Sequence, residues 1–310
     1  MPRLHLGINT CFAVKRWPEP EQWLAIVQQD LGLDCCQFSL DLVDPMLDEA
    51  ATAAYAGAVR AYAAARGILL HSTFTGLAAY SWNQLLHPGE AMRETAMRWY
   101  ERAIDFTARL GALGTGGHIG ALSVQDAAND LRKQLLIQQL RERLAALARY
   151  AARQGLQFLM FENMAVPREW GHSIEEASSL ASLVVSGAVP IVLCLDVGHP
   201  CVLHTGTTSD DYLAWLAHPW PHTPVIHLQQ TDRTGDHHWP FTPEYNNQGI
   251  VSAASILETI KRWPGDSDVY LFLEPIHPFE AGDASLLRDL RQSVQYWQEA
   301  MQPYISSNGS

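Results

Sequence analysis

Eight short apolar, strand-type runs alternate with eight longer stretches of helical periodicity. This alternation constrains the fold more than any other feature of the sequence. The runs are Leu4–Asn9, Cys35–Leu40, Gly67–Thr73, Leu113–His118, Leu156–Glu162, Pro190–Asp196, Pro224–Leu228 and Asp268–Glu274. Helical patterns occupy residues near 20–31, 47–66, 88–110, 131–154, 173–186, 207–217, 251–262 and 283–303. Eight such units at roughly 39 residues each give the rhythm of a (β/α)8 barrel. No Pro-, Gly- or Ser-rich linker divides residues 1–310, so the sequence predicts a single (β/α)8 TIM barrel, with a frayed tail at 305–310. A doubly wound open sheet would carry a glycine-rich turn after its first strand. That turn here reads Asn-Thr-Cys-Phe-Ala-Val-Lys-Arg-Trp-Pro, and Gly114-Thr-Gly-Gly117 is too short for a dinucleotide fingerprint.

Local signals agree with the alternation. Ser173 followed by Glu176 is a capping box, Pro88 suits a first helical turn, and Gly67 and Gly155 sit where helices hand over to strands. Arg141, Arg143 and Arg149 read as the solvated edge of an amphipathic helix. A formal net charge of −12 argues against a nucleic-acid partner, because a phosphate-tracking surface needs clustered Lys and Arg. No apolar run is long enough to span a membrane, and the N-terminus lacks the apolar stretch of a secretory signal. The five cysteines (Cys11, Cys35, Cys36, Cys194, Cys201) show no metal-type CxxC spacing and read as free thiols, which points to the cytoplasm.

What ends the strands carries the functional information. Strand three ends at His71, strand four at His118, strand five at Glu162, strand six at Asp196, strand seven at His227 and strand eight at Glu274. In a barrel these ends converge on one mouth, where active sites lie. Glu162, Asp196, His227 and Glu274 form a set of three carboxylates and one imidazole. Such a set suits Mn²⁺, Mg²⁺ or Co²⁺ better than a closed thiolate zinc site. Carboxylates this close repel one another unless a cation neutralises them.

A second group surrounds that set. His199, three residues beyond Asp196, is placed to hold substrate or a second metal. Arg233, in the loop after strand seven, could bind a hydroxyl or phosphate through its guanidinium. Asp236 and His238 are candidate additional metal ligands, and His71 and His118 are candidate substrate contacts. His277 lies close to the mouth without an assigned role, and Trp17, Trp82 and Trp239 fall in mouth loops where a sugar could pack on them.

With these residues in view, the chain resembles the xylose-isomerase-like barrel superfamily and, within it, the D-tagatose 3-epimerase group. The resemblance covers essentially the whole chain. It implies that Glu162, Asp196, His227 and Glu274 bind a divalent metal, Mn²⁺ first, with Mg²⁺, Co²⁺ or Zn²⁺ as other occupants. Asp196-x-x-His199 and His227 followed six residues later by Arg233 match two further elements of the group. Phe-Ala-Val-Lys-Arg-Trp-Pro after strand one and His-Trp-Pro-Phe-Thr-Pro-Glu-Tyr-Asn after strand seven resemble the erythrulose phosphate epimerases of erythritol catabolism. That resemblance implies a four-carbon ketose phosphate substrate, with Lys15 and Arg16 as phosphate contacts beside Arg233, and family analogy suggests a homodimer.

The implied reaction is epimerisation by deprotonation and reprotonation through an enediolate, with Glu162 and Glu274 on opposite faces of the substrate carbon. His199 and Arg233 would hold substrate oxygens. One carboxylate shuttling a proton between adjacent carbons would instead make an aldose–ketose isomerase. Apurinic endonucleases of the endonuclease IV type share nearly the same ligand order, but the acidic surface argues against a DNA substrate. A barrel that keeps a metal site yet only binds sugar is the non-enzymatic alternative.

Overall fold

The computed structural model describes residues 1–306. Each predicted run contributes a strand: β1 (Arg3–Asn9), β2 (Cys35–Ser39), β3 (Leu69–Phe74), β4 (Gly114–Gly117), β5 (Phe158–Glu162), β6 (Ile191–Asp196), β7 (Val225–Leu228) and β8 (Asp268–Leu273). They pair in sequence order into a closed barrel. β8 closes on β1 in parallel, from Arg3 opposite Asp268 to Ile8 opposite Leu273. Long helices, Glu49–Arg66, Glu90–Leu110, Asp130–Arg153 and Asp283–Ser306, cover one part of the barrel; shorter ones, Pro20–Ala25, Ile174–Ala181, Tyr212–Ala217 and Ala253–Ile260, cover the rest. Of the tail expected to fray, Ile305 and Ser306 close the last helix, and 307–310 lie outside the described residues.

Side-chain alternation along the strands divides the core in two. Between strands and helices lie Trp23, Phe38, Tyr100, Trp215 and Trp297, all fully buried. Inside the barrel Cys35, Phe74, Met160, Cys194, Val225 and Phe272 pack together. Cys35 faces this interior while its neighbour Cys36 faces the helices, as successive strand residues must. β4 is nearly all glycine because its neighbour β5 leaves no room there: a Cβ on Gly114 would lie 2.3 Å from the Phe158 ring, and one on Gly116, at φ 144°, 2.0 Å from the Met160 carbonyl oxygen.

Four expectations differ from the structure. Gly67 is the left-handed cap of the Glu49–Arg66 helix (φ 68°), so β3 begins at Leu69 and runs on to Phe74. His71 is therefore inside the strand and not at its end: the apolar run stops there, but Ser72, Thr73 and Phe74 still pair with β4. Pro88 precedes its helix, which is capped at Gly89. Arg143 is not on a solvated edge; its side chain is 13% exposed and pairs with Glu90 and Glu94. The Ser173 cap forms as expected, its Oγ accepting from the Glu176 amide at 3.2 Å.

Candidate active site and metal centre

The parallel register brings the ends of β5, β6, β7 and β8 together at one rim. Glu162, Asp196 and His227 are terminal or near-terminal strand residues, and Glu274 follows β8, its amide donating to the Leu228 carbonyl at 3.0 Å. One potential ligand atom from each of the four lies within 4.8 Å of the others. All four residues are buried, none more than 3% exposed. His227 Nδ1 sits 3.0 Å from Glu162 Oε1 and 2.9 Å from Glu274 Oε2.

The opposite edge of the His227 ring explains its orientation. His227 Nε2 lies 2.7 Å from Gln37 Oε1, which also accepts from Asn9 Nδ2 at 2.8 Å. Gln37 Nε2 donates to Ser72 Oγ at 3.2 Å, so the amide is turned with its oxygen toward the histidine. His227 must then donate from Nε2, and Nδ1 presents a lone pair to two carboxylates. Asn9 Nδ2 donates in addition to Glu274 Oε1 at 2.9 Å, tying that carboxylate to the same frame.

The same device recurs at three more imidazoles. His199 Nδ1 is 2.6 Å from the Asn163 carbonyl, His238 Nδ1 is 3.1 Å from the Glu274 carbonyl, and His118 Nδ1 is 3.1 Å from the Gly76 carbonyl. Each leaves Nε2 facing a carboxylate: His199 at 3.2 Å and His238 at 3.4 Å from Asp236 Oδ2, and His118 at 3.1 Å from Glu162 Oε2. Metal-ligating histidines are held this way, with one nitrogen donating to a protein acceptor and the other free for the ion.

Buried polar atoms without a hydrogen-bond partner point to the same place. They include both oxygens of Glu162, Asp196 Oδ2 and His227 Nδ1. Asp196 Oδ1, by contrast, accepts from the amides of Gly198 (2.7 Å) and His199 (3.0 Å) and from Gln229 Nε2 (3.0 Å). Leaving one such buried group unmade costs about 1–3 kcal/mol, more when charged, so four around one point call for a cation. The residues present fit a divalent ion with oxygen and nitrogen ligands.

Without a cation, protons must do the neutralising. Burial opposes charge on His227, but Cys194 and the Glu274 carboxylate raise its pKa well above the ordinary value. Burial likewise opposes His199 and His238, yet Asp196 and Asp236 raise the first and Asp236 lifts the second to about 9. Burial pushes the Glu162 carboxyl up, but the His118 and His227 imidazoles beside it outweigh that and hold the carboxyl below its usual range. Asp196 is raised, chiefly by burial.

Asp236 and His238 thus come together with Asp196 and His199 into a second cluster; one ligand atom each from Asp196, His199 and His238 lies within 4.8 Å of the others. Gln229 Nε2 bridges the carboxylates of Asp196 and Asp236, at 3.0 and 2.7 Å. Gly198 makes room for that amide, since a Cβ there would lie 2.4 Å from Gln229 Cδ.

Other candidates lie elsewhere. His71 packs against Tyr270 (centroids 4.1 Å apart), Phe158 and Phe272 deeper in the barrel. Burial lowers its pKa to about 3, keeping it neutral, and the structure does not bring it to the quartet. Arg233 is exposed, with φ 78°, in the loop closed by the Gln230–Trp239 bridge. The six-residue spacing from His227 is present, but it leads to a loop and not to the cavity wall. The Arg16 guanidinium is engaged by the carbonyls of Pro278, Phe279 and Ala281 and by Asp283. Lys15 stands with Nζ 4.5 Å from the Phe279 ring centroid.

The cavity above the quartet, of about 40 Å³, is lined by His118, Glu162, His199, Asp236, His238 and Glu274 together with Tyr80 and Met164. Larger hollows occur on the protein, including one of about 710 Å³ bounded by Pro224 and Ser267, at the opposite ends of β7 and β8. Its size is not matched by clustered ligands. Glu169, which lines a small hollow with Tyr80, Trp82 and His118, is 6% exposed and has its pKa raised to about 7 by burial. Sequence reasoning missed it, as it missed Asn9, Gln37, Asn163 and Gln229. Gln37 alone had a visible signal, a polar residue inside the apolar run Cys-Cys-Gln-Phe.

Comparisons with known proteins agree with this architecture. The chain is 25% identical over 300 residues to a D-erythrulose 1-phosphate 3-epimerase from Brucella abortus (strain 2308), covering 95% of each. A candidate xylose isomerase from Rhodospirillum rubrum superposes with a TM-score of 0.88 at 32% identity, covering 96% of this chain and 99% of that one. D-psicose 3-epimerase from Clostridium cellulolyticum H10 shares the fold at 13% identity, with a TM-score of 0.68 and coverage of 96% and 99%. Among the described residues no helix is long and apolar enough to cross a membrane. Residues 27–265 match the profile of the Xylose isomerase-like TIM barrel, and the chain belongs to that family.

Proposed function

We propose that this chain is a divalent-metal-dependent ketose 3-epimerase in which Glu162 and Glu274 move the proton. The observation that carries the reading is the pair of buried carboxylates meeting at His227 Nδ1, 3.0 and 2.9 Å away, from strands on different sides of the barrel. A proton beside a ketone is weakly acidic, so its removal needs a placed base and relief of the enediolate charge. One carboxylate takes the proton from C3, and the other returns one to the opposite face, which inverts that carbon. His118 steadies Glu162 and Asn9 steadies Glu274, so both remain aimed at the reacting centre. His199 is placed to contact a substrate oxygen. A divalent cation held by Glu162, Asp196, His227 and Glu274, Mn²⁺ foremost, supplies Lewis-acid polarisation of the carbonyl.

The substrate suggested by the Brucella relative is D-erythrulose 1-phosphate, converted to the L epimer. The test is a chiral assay on Mn²⁺-reconstituted protein, alongside unphosphorylated ketoses. Formation of the C3 epimer supports the reading, and formation of an aldose replaces it with an isomerase. The five free cysteines, four of them buried, are the thiol state a reducing compartment maintains, and we place the protein in the cytoplasm.

The Asp196, His199, Asp236 and His238 cluster favours a second cation there. Two imidazole nitrogens facing one carboxylate oxygen at 3.2 and 3.4 Å are the specific observation. Metal analysis distinguishes this from a substrate role for His199: two ions per chain support it, and one ion leaves His199 to the substrate.

A further inference from the structure

The Phe-Ala-Val-Lys-Arg-Trp-Pro segment after β1 is not absorbed by the proton-transfer machinery, yet it forms one wall of a chamber beside it. This chamber measures about 360 Å³ and is lined by Phe12, Lys15, Ile276, His277 and Phe279, among others. Cys11, Asp41, Leu77 and Ile276 line both it and the cavity above the quartet, so the two spaces are contiguous. The inner space, about 40 Å³ against about 360 Å³, has room only for the reacting end of a sugar. A substrate longer than the inner space would extend into the side chamber.

Resting on the epimerase reading, we propose that this chamber is the subsite for a phosphate monoester on the ketose, and that the Lys15 ammonium selects it. Lys15 Nζ lies over Phe279 and has no carboxylate partner among the described residues. Its backbone is held left-handed at φ 60°. A non-glycine residue there is strained, and such strain gathers at ligand clamps. The neighbouring cation is not available: Arg16 is 8% exposed and spent on the 278–283 loop. Arg16 is a positioning residue, because that loop carries Phe279 and so fixes where Lys15 rests. His277 also lines the chamber, with its Nε2 held 3.3 Å from Asp289 Oδ2.

The experiment compares a four-carbon ketose phosphate with its unphosphorylated counterpart on wild type, Lys15→Met and Lys15→Arg. A lost charge-assisted contact is expected to raise KM for the phosphorylated ketose by about 10–100-fold in Lys15→Met. Its kcat should change by less than about threefold, as for a contact made equally in ground and transition states. The unphosphorylated ketose should be unaffected, and Lys15→Arg should recover most of the loss. Equal effects on both ketoses, or none on either, would overturn the proposal. If neither ketose exchanges its C3 proton, the epimerase reading fails by itself, and calorimetry with inorganic phosphate on Mg²⁺-loaded protein then decides. Phosphate affinity that falls at least about fivefold in Lys15→Met supports the subsite; unchanged affinity contradicts it.

Discussion

The Gln37 side-chain oxygen, 2.7 Å from His227 Nε2, fixes which nitrogen of that histidine faces the carboxylates. Gln37 comes from β2 and His227 from β7, so the contact crosses the barrel interior and orients a proposed metal ligand from the far wall. Replacing Gln37 with Leu removes the acceptor and frees the ring to turn. Outer contacts of this kind are worth about 10–100-fold in metal affinity, and that loss is expected in a metal titration of Gln37→Leu. Unchanged affinity would show that the ring is held otherwise.

Glu274→Gln keeps the shape of the side chain but cannot accept a proton. Turnover should fall by about 10²–10⁴-fold, the range of a lost general base, while the far-ultraviolet circular dichroism spectrum stays that of wild type. Wild-type turnover in the metal-loaded variant would remove Glu274 from the proposed pair.

Gly198 has ordinary backbone angles, so its glycine is required by contact alone. Gly198→Ala drives a Cβ to 2.4 Å from Gln229 Cδ. The displaced amide would no longer bridge Asp196 and Asp236. Overpacking of this type costs about 1–3 kcal/mol, measurable by urea unfolding, and any ion in the second cluster should be lost before the one in the quartet.

His71 makes the fold sensitive to acid. Burial lowers its pKa to about 3, against the ordinary value of 6.5. Between these values the unfolded chain takes up a proton that the folded chain refuses. Stability is therefore full above pH 6.5, falls as the pH drops below it, and levels off near 3, with a limiting slope of about 1.4 kcal/mol per pH unit. His71→Phe should flatten this part of the pH–stability curve relative to wild type. An unaltered difference between pH 7 and pH 4 would contradict the assignment.

The barrel and its quartet were legible because both follow from periodicity. Strand ends converge in a parallel barrel, so Glu162, Asp196, His227 and Glu274 could be named from where apolar runs stop. His71 was misplaced because polar Ser72 and Thr73 still belong to the ladder; hydrogen-bond pairing does not require apolar side chains. Arg233 and Arg16 show a different limit. Their positions in the chain were visible, but the direction of a long side chain depends on loop conformation and on acceptors such as the Pro278 and Ala281 carbonyls, which no spacing reports. Gln229 and Asn163 act through side-chain amide contacts across strands, and Glu169 acquires its character chiefly from burial. None of these leaves a periodic trace.

The two-carboxylate mechanism is tested most directly by the isotopic content at C3 early in turnover in D₂O. With Glu162 and Glu274 acting on opposite faces, the product epimer should carry deuterium at C3 while the residual ketose remains protiated. Deuterium at C1, or label washing into substrate and product alike, would contradict the two-carboxylate mechanism.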